Sequence, residues 1–127
     1  MKKILVIDDD TSTNESISTY LKEIGYEVFS ASNGLEGLDI IKKMKPNLII
    51  TDIRMPKLNG LELCYVLRGL DYNIPVIFIS SFESEDYKNG EFNVYAFISK
   101  PINIFQLNEY INDAFIGNQN LGNICLN

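Results

Sequence analysis

An α/β domain, a parallel sheet with helices packed on both faces, is expected from three features of the sequence. Short blocks rich in Val, Ile and Phe recur along the chain: KILVI, YEVFSA, NLIIT, PVIFIS and VYAFIS. Segments with apolar residues at helical spacing separate most of them, and such alternation implies right-handed crossovers between parallel strands. The 127 residues suit one domain, and no internal repeat or low-complexity tract divides them.

Each element has its own signal. KILVI reads as a buried strand ending at Ile7. Ile17, Tyr20, Leu21 and Ile24 recur at i, i+3, i+4 and i+7, the stripe of an amphipathic helix, and Gly25 ends it. YEVFSA is the second strand. Asn33-Gly34 opens a helix with Leu38 and Ile41 inward, and Pro46 follows its end. NLIIT is nearly all apolar, as suits a strand covered on both faces. Asn59-Gly60 precedes a third helix marked by Leu63, Cys64 and Leu67. PVIFIS and VYAFIS are the fourth and fifth strands. Ile104, Leu107, Ile111 and Phe115 stripe the last helix. Between the last two strands, SFESEDYKNGEFN has few apolar residues, no clean period and a glycine at position 90, so a short or distorted fourth helix is expected. The domain is expected to span residues 1–116, with the polar GNQNLGNICLN at 117–127 as a tail or the start of a linker.

Composition removes several function classes. A net charge of −6 opposes direct nucleic-acid binding, which needs clustered Lys and Arg. No segment nears the roughly 20 apolar residues that span a bilayer. The apolar run after Lys2-Lys3 meets acids instead of a small-residue cleavage site, so neither a secretory leader nor a membrane role is expected. Cys64 and Cys125 form no CxxC pair, which suits a reducing compartment and a cytoplasmic location. The chain has no histidine, so Ser-His-Asp and Cys-His catalysis are excluded and any metal must be held by oxygen.

In an open parallel sheet, ligands bind beyond the carboxyl ends of the strands. The polar residues there form a coherent set. Asp8, Asp9 and Asp10 follow the first strand, Asp52 ends the third, Ser80 and Ser81 end the fourth, and Lys100 follows the fifth. Ser30 and Ser32, at the end of the second, add nothing sharp. Converging carboxylates without histidine make a hard-oxygen site suited to Mg²⁺, with Mn²⁺ as an alternative. Lys100 and the Ser80 hydroxyl are the partners that phosphoryl oxygens seek.

At ILVIDDD (4–10), LIITDIRMPKLNG (48–60), PVIFISS (75–81) and FISKPI (97–102) the chain resembles the receiver domains of two-component response regulators. The resemblance runs from residue 2 to about 116 and implies a flavodoxin-like (βα)5 fold with strand order 2-1-3-4-5. It implies that Asp52 accepts a phosphoryl group in a Mg²⁺-dependent reaction. Asp9 would bind the ion directly, Asp8 through water, and Asp52 and the backbone carbonyl of Arg54 would complete the protein ligands. Lys100 would pair with the phosphoryl group, with Lys100–Pro101 often cis in the family, and Ser81 would leave room for it. Ser80 and Phe97 would switch conformation. The implied donor is a phosphohistidine of a sensor histidine kinase or histidine phosphotransfer protein. The implied readout is the face of the fourth helix, fifth strand and fifth helix, through a homodimer, an output domain or another partner. The stretch from Ser80 to Lys100 is shorter than the family's, Asn93 stands where a Gly is usual, and Arg54 and Phe82 fall where the family tunes dephosphorylation.

Plainer accounts exist for the same residues. Acids at a helix start are favoured by the helix dipole, and Asp10 or the Thr11-Ser12-Thr13 run can serve as cap. Cys64 and Phe97 can be core packing. Two other functions compete. DDDTS faintly resembles the nucleophile loop of haloacid-dehalogenase-type phosphatases, in which Asp8 would be the nucleophile and Asp10 the acid/base. A receiver-like module that signals without phosphorylation is the other. Neither uses Asp8, Asp9, Asp52, Ser80 and Lys100 together as a phosphoacceptor site does. On that reading the chain is a signalling phosphoacceptor rather than an enzyme.

Overall fold

The computed structural model describes residues 1–80 and 94–119. Five parallel strands form one sheet: β1 (Lys3–Ile7), β2 (Glu27–Ala31), β3 (Leu48–Asp52), β4 (Val76–Ser80) and β5 (Val94–Ser99). Their order is β2-β1-β3-β4-β5, as expected. The helices are α1 (Thr11–Glu23), α2 (Gly34–Met44), α3 (Gly60–Gly69) and α4 (Ile104–Gln119). Five helices were expected and four are present among the described residues; the segment assigned to the distorted helix, with Ser81, Phe82 and Asn93, lies outside them.

Alternating side chains on the strands supply two cores. Ile4, Val6, Leu48, Ile50, Ile77, Ile79 and Ile98 meet Ile17 and Leu21 of α1 and Leu107, Ile111 and Phe115 of α4. Leu5, Ile7, Ile49, Val76 and Phe78 meet Ile41 of α2 and Leu63, Cys64 and Leu67 of α3. Burial pushes the Cys64 thiol up to about 12, which fits a packing residue rather than a reactive one. In α1 the inward stripe differs from expectation. Ile24 is exposed, and Asn14 and Ser18 are buried beside Ile17 and Leu21. Ile24 is the C-cap rather than a helical residue, so it lies past the last buried turn.

Side chains and glycine set the helix ends. The Asp10 carboxylate accepts from the Ser12 N–H at 3.1 Å and the Thr13 hydroxyl at 3.0 Å, and so is the α1 cap. At the other end Gly25 has φ 108°, the Gly25 N–H donates to the Lys22 carbonyl and the Tyr26 N–H to the Leu21 carbonyl. That is a Schellman closure, which needs a left-handed residue at Gly25. Asn33 caps α2, and Asn59 and Glu62 form a reciprocal capping box on α3.

Two glycines let α2 and α3 approach the carboxyl edge of the sheet. A Cβ on Gly34 would run into the backbone carbonyl of Leu58, and one on Gly60 would lie 2.5 Å from the Asp52 carbonyl oxygen. β5 carries a register irregularity: Val76 pairs with Val94 but Ile77 with Ala96. The extra residue puts Phe97 opposite Phe78 and Ser99 opposite Ser80, so Lys100 falls just past the sheet edge.

Two glycine-to-alanine changes should have opposite signs. Helix propensity favours Ala by about 1 kcal/mol in a helix interior and by less at these two terminal helical positions. At Gly69 a Cβ meets nothing within 4 Å, so Gly69→Ala should raise the urea midpoint. At Gly34 overpacking of about 1–3 kcal/mol against Leu58 should outweigh the propensity gain and lower it.

Candidate functional site

Asp8 follows β1 and Asp52 ends β3. The two strands are neighbours with Ile7 opposite Thr51, so the acids emerge side by side. Both are buried. The Asp8 N–H donates to the Ala31 carbonyl at 3.1 Å, and Asp8 Oδ1 accepts from the Asp10 N–H at 2.9 Å. Asp52 Oδ1 accepts from the Ile53 N–H at 2.7 Å. One oxygen of each carboxylate is thus tied to backbone and the other faces inward.

Lys100 meets both inner oxygens. Its Nζ donates to Asp52 Oδ2 at 2.9 Å and lies 3.1 Å from Asp8 Oδ2. The second contact is an ion pair without hydrogen-bond direction, and Asp8 Oδ2 receives no directed donor among the described residues. The Lys100 N–H donates to the Ser80 carbonyl at 2.9 Å, so β4 fixes the base of the lysine, and Lys100–Pro101 is cis. Asp9 is exposed, and one oxygen from each of Asp8, Asp9 and Asp52 lies within 4.8 Å of the others.

Three carboxylates against one ammonium leave two negative charges over. At this spacing and an effective dielectric near 20, each like-charge pair repels by about 3–4 kcal/mol. Burial raises the Asp8 pKa, outweighing the Asp10 N–H and Lys100, and Asp52 adds to the rise. For Lys100, burial favours the neutral amine, but the hydrogen bond to Asp52 and the close carboxylates of Asp52 and Asp8 outweigh it and raise the pKa. The Thr13 hydroxyl, aided by backbone N–H groups, lowers that of Asp10. A general acid needs the opposite shift, so Asp10 is ill suited to the acid/base role of the phosphatase-like reading.

The donor set fits a hard divalent cation. It is all oxygen, it carries excess negative charge, and it includes a buried carboxylate oxygen without a directed donor. Arg54, exposed, follows Ile53 in the loop to α3. The Ile53 carbonyl is taken by the Gly60 N–H at 2.8 Å, so the next carbonyl along that loop is Arg54's.

Ser80 is buried at the end of β4. Phe97 is half-buried and packs on the second core, a position that satisfies the packing account. One participant escaped sequence reasoning. Asn14 on α1 donates through Nδ2 to the Asp8 carbonyl at 3.2 Å and the Ala31 carbonyl at 2.9 Å. Its Oδ1 accepts from Ser18 Oγ at 3.2 Å, which lies 2.9 Å from Ser30 Oγ, so β2 does contribute. The only signal was a pair of polar residues four apart on the inward face of α1.

The family model described as response regulator receiver domain matches residues 4–112. The chain belongs to this family. It is a receiver domain of the two-component type. A probable transcriptional regulator, ycf27, of Porphyridium aerugineum is 36% identical over 130 residues, covering 96% of this chain and 54% of the relative. The chain therefore spans about half of that protein. Sporulation initiation phosphotransferase F of Bacillus subtilis is 29% identical over 112 residues, covering 87% and 90%. Among solved structures, the N-terminal domain of a Wolinella succinogenes protein superposes with TM-score 0.84 at 40% identity, covering 90% of this chain and 94% of that one. The response regulator TrrA of Thermotoga maritima, solved with Mg²⁺ and BeF, gives TM-score 0.80 at 29% identity, covering 90% and 99%. Among the described residues no helix is long and apolar enough to cross a membrane.

The raised pKa of Asp8 has a stability consequence. The folded chain holds the Asp8 proton above the ordinary value of 3.8, so the charged form burdens the fold as pH rises through the raised value. With a chelator at neutral pH, Asp8→Asn should raise the urea midpoint, and the gain should vanish on acidification below that ordinary value. Lys100 acts at the other end. Its stabilisation is complete below 10.5 and is lost as pH rises through the raised folded value. Lys100→Met should flatten that alkaline loss; an unchanged alkaline limb would refute the pairing.

Proposed function

We propose that Asp52 is the phosphoacceptor of this receiver, served by a Mg²⁺ site built from Asp9, Asp52, the backbone carbonyl of Arg54 and, through water, Asp8. The observation that carries this reading is the Lys100 ammonium between Asp52 Oδ2 at 2.9 Å and Asp8 Oδ2 at 3.1 Å, beside the exposed Asp9. It brings three strand ends to one point. Mn²⁺ suits the same oxygen donors.

The donor we infer is a phosphohistidine on a sensor kinase or phosphotransfer protein, consistent with a chain that has no histidine of its own. The P–N bond breaks as an Asp52 oxygen forms its bond to phosphorus, and the departing imidazole keeps the electron pair and takes a proton. The Ile53 N–H orients the Asp52 carboxylate. Lys100 neutralises the equatorial phosphoryl oxygens, where a loose transition state spreads its charge. When bound, Mg²⁺ supplies further positive charge at those oxygens.

The product adds charge and acceptor oxygens at the end of β3. The Ser80 hydroxyl donates to one of them, and Phe97 follows into the space it leaves, changing the face of β5 and α4. A homodimer, an output domain or a separate partner reads that face. We place the receiver unit at residues 1–116 and the protein in the cytoplasm.

Incubation of the full chain with acetyl phosphate and Mg²⁺ should add one phosphoryl mass. Asp52→Ala or EDTA should abolish the gain, and Lys100→Met should slow it by about 10²–10³-fold, as loss of one preorganised electrostatic partner does. A label mapped to Asp8 would favour the phosphatase-like reading. A gain that persists in Asp52→Ala, or no gain at all, would favour a module that signals without phosphorylation.

A further inference from the structure

We propose that Asn14 is a positioning residue for the cation site, acting through the main chain of Asp8. This rests on the reading of Asp8 as a metal-site carboxylate. Asn14 sits in the first turns of α1, on the face that elsewhere buries Ile17 and Leu21, and is 8% exposed. An apolar residue would serve packing there, and Asn is a poor helix former. What Asn supplies is a donor on one side and an acceptor on the other.

The network orients the amide. Its two near neighbours on one side, the Asp8 and Ala31 carbonyls, are pure acceptors, so Nδ2 faces them. Oδ1 therefore accepts the Ser18 hydroxyl proton. The Ser18 proton is then committed, and the contact between Ser18 Oγ and Ser30 Oγ at 2.9 Å is donated by Ser30. The result is a one-way chain: exposed Ser30 to Ser18, to Asn14, to the carbonyl of Asp8. Chains of this kind polarise and reinforce one another.

The Asp8 peptide is gripped from both ends. Its N–H donates to the Ala31 carbonyl at 3.1 Å and its carbonyl accepts from Asn14 at 3.2 Å, while Asn14 also holds Ala31 at 2.9 Å. The side chain is then aimed without help from a donor on Oδ2. The aim matters because the group beside it is Lys100, which competes for the same oxygen. The ammonium already lies 3.1 Å from Asp8 Oδ2 while the Asp10 N–H holds Oδ1 at 2.9 Å, so a cation reaching Oδ2 shares it with Lys100 and small shifts of the carboxylate decide the balance. Asn14 fixes the main chain from which that carboxylate projects.

The test uses the full chain and Mn²⁺, with free Mn²⁺ read by electron paramagnetic resonance. Wild type should bind one ion saturably, and Asp9→Asn should weaken that binding. Asn14→Leu keeps the volume without the donors and should shift the midpoint about 10–100-fold toward weaker binding, the usual effect of losing an outer-shell partner, with stoichiometry retained. Ser18→Ala should shift it less. A merely structural defect would lower the fraction of chains that bind and leave the midpoint in place. If Asn14→Leu does not fold, Asn14→Ser, whose short hydroxyl cannot reach the Asp8 carbonyl, takes its place in the same titration. An unchanged midpoint in the folded variant overturns the role of Asn14 while the metal site stands. Wild type without saturable binding, or binding indifferent to Asp9→Asn, overturns the metal reading and this inference with it.

Discussion

Repulsion among carboxylates gathered at one sheet edge is the constraint around which this receiver is arranged. A parallel sheet sends every strand's carboxyl end to the same side, and the order β2-β1-β3-β4-β5 makes the strands carrying Asp8 and Asp52 adjacent. The compensating charge comes from β5, two strands from β3. Strands lie about 4.8 Å apart, so that gap is roughly 10 Å. Only a long side chain spans it, and Lys100, its backbone N–H held by the Ser80 carbonyl at the end of β4, does so. The choice of lysine at that position follows from the topology as much as from the chemistry.

Holding such a cluster requires backbone that cannot drift. The Asp52 carboxylate is fixed by the N–H of its own neighbour, Ile53, and the loop beyond is closed by the Gly60 N–H on the Ile53 carbonyl. Gly60 permits α3 to come within contact of the Asp52 main chain, and Gly34 lets α2 press on Leu58 in the same loop. The capping box of Asn59 and Glu62 then anchors the start of α3. Residues outside the charged cluster thus determine where the loop after Asp52 runs, and hence where Arg54 presents its carbonyl.

Much of this was legible in the sequence because strand ends announce themselves. Five apolar blocks marked the strands, and the ends of four of them marked Asp8, Asp52, Ser80 and Lys100. What escaped was whatever depends on partners distant in the chain. Asn14 and Ser18 lie beside the Ile17–Leu21 stripe with no signal beyond their spacing, and their use becomes apparent only once β2 supplies Ala31 and Ser30 opposite them. Ile24 was read as inward because periodicity continues past the point where a Gly25 closure has already turned the chain. The register irregularity of β5 is equally silent in sequence, although it decides which face Phe97 shares with Phe78.

Asp8, Asp9 and Asp10 are identical in type and consecutive, yet their environments separate them completely. Asp8 still belongs to the strand direction, so its side chain turns into the sheet edge and is buried, where desolvation raises its pKa. Asp10 already belongs to the helix, and Thr13 and the first N–H groups of α1 lower its pKa. Asp9 sits at the bend between them and stays exposed, within reach of the Asp8 and Asp52 oxygens. The order of burial matters chemically. On the proposed metal reading, exposed Asp9 would be the carboxylate that meets a hydrated cation directly, and buried Asp8, beside the ammonium, would reach it through water. The Asp10 N–H on Asp8 Oδ1 links the two extremes, so the cap that starts α1 also orients the deepest acid of the site.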